Sequence, residues 1–158
     1  MCSEVLSLQG NLDAHIVFFI TFYYNGFTAN GFSVRCPYSS KTLLIKIFFI
    51  IHFLLMGVYH PFFVRFGRVA IEDEVGELTG AEVVVDLIGE RPALAASDSM
   101  SAYIAYKPTV GMSESNRTVV SNISKQGTPP AEAGAHIVDL VKLILEKKVT
   151  GTELAQMM

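Results

Sequence analysis

Two full charges stand at the end of an apolar run. In VVVDLIGERPALAASDS, residues 83–99, Val83 to Ile88 lead straight into Gly89-Glu90-Arg91-Pro92. Gly89 permits close backbone approach and Pro92 fixes the direction of the departing chain, so the tip is built to hold Glu90 and Arg91 in place. A ligand gripped there is one reading; an exposed ion pair worth under about 1 kcal/mol is the plainer one. Asp86 is a carboxylate inside the same apolar run, which requires either a wetter face or a buried partner, because an isolated buried charge would shift its pKa and neutralise.

Other chemistry finds little support. Ser, His and Asp are all present, yet no Gly-x-Ser-x-Gly elbow exists, and His136 lies in a helical stretch beside Ile137. No His or Cys pair recurs at i, i+3 or i, i+4, and Cys2 and Cys36 match no metal-ligand spacing, so a metal centre is not expected. A Walker-type phosphate loop is absent. Glu72, Asp73, Glu74 and Glu77 could suggest a cation site, but a water-facing helix start favoured by its own dipole explains them more simply. Tyr103, Tyr106 and the sequons at Asn116 and Asn122 are not specific.

These residues need elements to position them. Pro61 to Ile71 is β-like and punctuated by Gly67; residues 72–80 open acidic and close on Gly80, as a short helix does. Residues 82–88 form a buried strand, residues 97–101 a turn or one helical turn, residues 102–108 a second strand ended by Pro108, and residues 118–124 a third. The closing helix is the clearest element. Thr128 is placed to cap it, Pro129 and Pro130 suit its first turn, Glu132 faces the positive end of the dipole, and Lys142, Lys147 and Lys148 face the negative end. Ile137, Leu140, Val141, Ile144 and Leu145 fall at i, i+3, i+4, i+7 and i+8, a stripe that covers a sheet. Strands joined by helices or helix-length connections imply parallel pairing, hence an α/β fold with a Rossmann-like, partly parallel sheet and flanking helices, incomplete on its N-terminal side. Such sheets bind ligands outside the carboxyl ends of their strands. The Gly-Glu-Arg-Pro tip lies at one such end; the turn from Ser124 to Pro130, where Gly127 and the helix N-terminus offer backbone donors, lies at another.

The chain of 158 residues suits one core, and its net charge of −3 with a pI near 5.8 offers no basic field for nucleic acid. Composition nevertheless divides it. Residues 1–60 hold only Glu4, Asp13, Arg35, Lys41 and Lys46 as charges, with eight of the eleven Phe and both Cys; all other charges lie in residues 61–158. Leu43 to Val58 is apolar, but a spanning helix needs about 20 such residues, and Lys46 at mid-bilayer would cost about 3 kcal/mol. A secretory signal is no better supported. Residues 1–60 are thus either an anchor that leans on a membrane or sequence not selected to pack with residues 61–158, as a shifted reading frame would produce.

Four blocks in order carry a resemblance: PFFVRFGRVAIEDEVGELTGAEVVVDLIGERP, SMSAYIAYKP, NRTVVSNI and GTPPAEAGAHIVDLVK. Over residues 61–153 the chain resembles the C-terminal part of the small (light) subunit of ethanolamine ammonia-lyase. The resemblance implies a subunit of an adenosylcobalamin-dependent enzyme that converts ethanolamine to acetaldehyde and ammonia. It further implies a large-subunit partner that carries the substrate and the catalytic residues, with the cofactor at the subunit interface. The family's cobalamin-contacting positions fall on Val69, Glu90 and Val119, which makes residues 61–158 a cobalamin-binding domain. It also implies a bacterial cytoplasmic setting, often inside a microcompartment. The chain departs from the family in having Ala93-Leu94-Ala95 in place of Gly-Leu-Gly, in having Val119 where some relatives have Cys, and throughout residues 1–60. Two readings of other classes compete. A membrane-anchored accessory protein would partition with membranes, and a stand-alone small-molecule-binding domain would hold a ligand without a partner.

Overall fold

The computed structural model describes residues 16–22, 59–65, 67–90 and 99–158. Its strands are β1 (Ile16–Phe22), β2 (Tyr59–Arg65), β3 (Val83–Gly89), β4 (Met100–Tyr106) and β5 (Thr118–Ile123); its α-helices are α1 (Ile71–Thr79), α2 (Pro130–Lys147) and α3 (Thr152–Met157). The described strands join in the order β2-β1-β3-β4-β5, and the fold is mixed α/β. β1 runs parallel to both β2 and β3, whereas β3, β4 and β5 form an antiparallel meander. The expected Rossmann-like winding is therefore overturned in the half of the sheet that carries β3 to β5. The reason lies in the connections. A parallel crossover needs a dozen or more residues and usually a helix, while residues 90–99 and 107–117 are shorter than that, and the second contains only a 3₁₀ turn at Glu114–Asn116.

Alternation along the strands builds two cores. Val83, Val85 and Leu87 of β3 and Met100, Ala102 and Ile104 of β4 point to one face, where Ile137, Val138, Leu140, Val141 and Ile144 of α2 cover them. Each large side chain in that layer contributes about 1.5–3 kcal/mol through burial, so α2 is the main fastening of the meander. Leu145 packs at the edge of this layer, and Leu154 of α3 closes it. On the opposite face Val84 packs with Val64, Val75, Ala81 and Ile71, which seats α1.

α1 and α2 both end on a left-handed residue, while none of the three described α-helices has a side-chain cap hydrogen bond at its start. Gly80 closes α1 in the left-handed region at φ 64°, its amide donating to the Gly76 carbonyl, a geometry in which a side chain would be strained. Lys148 ends α2 in the same conformation. Thr128 does not cap α2: Pro129 stands at the cap position with no side-chain hydrogen bond. The Thr128 backbone is instead spent on a bridge, its amide donating to the Asn122 carbonyl and its carbonyl accepting from the Ser124 amide.

Candidate functional site

Glu90 extends the alternation of β3 by one residue, its amide donating to the Ser99 carbonyl at 3.1 Å. It therefore shares a sheet face with Asp86, and in the register of the strands Asp86 lies opposite Tyr103, which lies opposite Val119. Glu90, Tyr103 and Val119 thus belong to one face of the meander, the face on which α1 sits. Val119 is 47% exposed and Tyr103 is half-buried, so beyond α1 this part of the sheet is open to a ligand or another chain.

The Glu90 carboxylate is half-buried and already employed. Its Oε2 accepts from the Ser99 hydroxyl at 2.8 Å and from the Asn122 amide at 3.2 Å. Asn122 sits in the left-handed region at φ 56°, with its carbonyl on Thr128 and its Oδ1 accepting from Ser124. Glu90 therefore ties the tip of β3 to the end of β5 and to the turn that starts α2. A carboxylate offers about four lone-pair sites, so two hydrogen bonds leave capacity for a further donor from outside. Burial raises the Tyr103 phenol above its usual value, with Glu90 and Asp86 adding to the effect, which places its hydroxyl in a field set by these acids. The donors expected in the turn after β5 are engaged: the Gly127 amide donates to Ser124 Oγ at 2.9 Å and the Thr128 amide to Asn122.

Val69 lies in the turn before α1, half-buried, its carbonyl accepting from the Glu72 amide at 3.0 Å. It reaches β5 through a buried ion cluster. Arg117, immediately before β5, donates Nε to Glu72 Oε2 at 3.0 Å and Nη2 to Asp73 Oδ1 at 2.5 Å, and its Nη1 lies 3.4 Å from the Met112 carbonyl and 3.2 Å from Glu114 Oε1. The side chains of Arg117 and Glu72 are 1% and 0% exposed. Glu72 and Asp73 are accordingly not the water-facing helix start that their charge suggested. The signal was present: Glu72 falls at i−3 and i−4 from buried Val75 and Gly76, on the face that meets the sheet.

Burial pushes the Glu72 carboxyl up to about 8, the Asp86 charge adds to the rise, and Arg117 opposes it. Arg117 does not win, because its donors are divided among Glu72, Asp73 and Glu114. Glu72 Oε1 is buried without a hydrogen-bond partner, so nothing on that oxygen offsets the cost of burying the charged form. Asp86 is completely buried, so its strand has no wetter face there, and its charge acts on Glu72. Arg91 and the alanines at 93 and 95 lie outside the described residues, as do Leu43 to Val58. No group of three metal-ligating side chains occurs among the described residues, and no described helix is long and apolar enough to cross a membrane.

Comparison of the sequence with known proteins supplies the family. The family model "Ethanolamine ammonia-lyase light chain (EutC)" matches residues 30–155, and the chain belongs to that family. It is 61% identical over 99 residues to the ethanolamine ammonia-lyase small subunit of Clostridium tetani, a span covering 63% of this chain and 34% of that protein. It is 60% identical over 92 residues to the subunit of the same name in Listeria innocua, covering 58% of this chain and 31% of that protein, and 56% identical over 99 residues to that of Fusobacterium nucleatum. The chain thus spans about a third of the length of these curated relatives. The family match starts at residue 30, upstream of the compositional change at Pro61, and β1 lies earlier still, between β2 and β3.

Proposed function

We propose that this chain supplies light-subunit contacts to an ethanolamine ammonia-lyase, covering one side of adenosylcobalamin while a large subunit holds ethanolamine and the catalytic residues. The observation that carries this reading is the half-exposed row on the α1 face of the meander, with Glu90 at the strand tip and Val119 open at the edge. The residues suit the cofactor. A corrin rim bears amide groups, and the spare acceptor capacity of Glu90 can take one of their N–H bonds. Val69 and Val119 offer apolar surface that would exclude water from the cofactor. When bound, adenosylcobalamin supplies the radical chemistry; this chain holds and shields it and contributes no catalytic base. Ser99 and Asn122 hold Glu90 in its orientation, so the acceptor is fixed before the cofactor arrives. The setting that goes with this role is the bacterial cytoplasm, with entry into a microcompartment alongside the partner.

The test is a titration of adenosylcobalamin, followed by visible absorbance, into the large subunit with and without this chain. The expected result is added affinity in the presence of the chain and about a tenfold loss, roughly 1.4 kcal/mol, in Glu90→Ala. Glu90→Gln, which keeps an oxygen acceptor, should retain most of it. No added affinity from the wild-type chain, together with no change in Glu90→Ala, overturns the proposal.

A further inference from the structure

We infer that Arg117 is a positioning residue: with Glu72 and Asp73 it sets the spacing between the Val69 turn and the Val119 edge, and so the affinity of this face for a corrinoid that Arg117 does not touch. This rests on the proposed function. Val69 is bonded through its carbonyl to the amide of Glu72, and Glu72 and Asp73 are both gripped by Arg117, two residues before Val119. One path from the Val69 turn to the start of β5 therefore runs through a buried guanidinium, beside the apolar packing of α1 on Val84.

Stability alone does not call for such a device. Burying an ion cluster costs desolvation that its Coulomb attraction only partly offsets, and apolar residues of similar volume commonly stabilise as well or better. A planar fork adds direction. Nε and Nη2 engage two successive residues of the first turn of α1, while Nη1 is held by the Met112 carbonyl and Glu114, so neither α1 nor the start of β5 can slide without breaking a charged hydrogen bond. Lysine would keep the charge at this position and lose the fork.

Arg117→Lys tests the role in the full chain mixed with the large subunit, with two readouts: amide hydrogen exchange at residues 69–73 and 118–120, and the dissociation constant for adenosylcobalamin. A second variant, Arg117→Met with Glu72→Gln and Asp73→Asn, removes the charge and both buried partners together and keeps the test open if the lysine variant folds poorly. The expected result is exchange accelerated at least tenfold in those two segments, with β3 and α2 unchanged, and a corrinoid dissociation constant raised about tenfold. Faster exchange with an unchanged dissociation constant overturns the inference and leaves the cluster structural. A wild-type chain that adds no corrinoid affinity defeats the functional reading itself, an outcome visible before any variant is compared.

Discussion

Among the described residues, Glu72 is one whose protonation the fold strongly controls. In an unfolded chain it titrates near 4.5; folded, it does so at about 8, because burial and the Asp86 charge outweigh Arg117. Between those values the folded chain keeps a proton that the unfolded chain has released. The stability this provides is complete below about pH 4.5, declines as pH rises, and is gone above about pH 8, a loss on the order of a few kcal/mol. Urea unfolding at pH 5.5, 7 and 8.5 should show the midpoint falling over that range. Glu72→Gln, which is neutral at every pH and can still accept from Arg117, should flatten the decline. A midpoint equally steep in wild type and Glu72→Gln would assign the pH dependence to other groups.

At the scale of elements, the seating of α1 is tighter than its few apolar contacts suggest. A Cβ placed on Gly76 would clash with Pro108 Cγ and lie 3.0 Å from the Pro108 carbonyl, so the helix and the loop after β4 approach over a bare glycine. Gly76→Ala, normally a gain in helix propensity, should instead destabilise by about 1–3 kcal/mol through overpacking. The urea midpoint should fall with the slope unchanged, and a rise would show that the loop yields without cost. Why some elements are legible in the sequence and others are not comes down to range. The stripe of α2, the apolar run of β3 and the glycine that ends α1 are dictated by neighbours within a turn or a pleat, and they appear where expected. The direction of β4 and β5 is not local: it is set by connections that look helix-length in the sequence and are too short to cross the sheet. Thr128 has the chemistry of a cap, but the bridge from Asn122 and Ser124 claims its backbone first. The site divides in the same way. Glu90 stands out by its setting, whereas the sharing of one face by Glu90, Tyr103 and Val119 is a matter of register, and the Arg117 cluster joins residues 44 and 45 positions apart.

For the whole molecule the decisive feature is an imbalance between the two faces of its meander. α2 covers one face of β3 and β4 from end to end, while α1 covers only part of the other and leaves Val119 exposed and Tyr103 half-exposed. A partner that covers this face binds the folded chain and not the unfolded one, and at a concentration about one hundred times its dissociation constant it adds about 2.7 kcal/mol. For a chain of this size that corresponds to a rise of about 5–10 °C in melting temperature. The proposed large subunit should therefore raise the midpoint of this chain in a concentration-dependent way, measured by a probe confined to it, such as exchange at the β3 and β4 amides. Protection should grow first at residues 118–120, the edge the partner meets. A midpoint that stays fixed across a hundredfold range of large-subunit concentration would mean that this face is not where the two chains join.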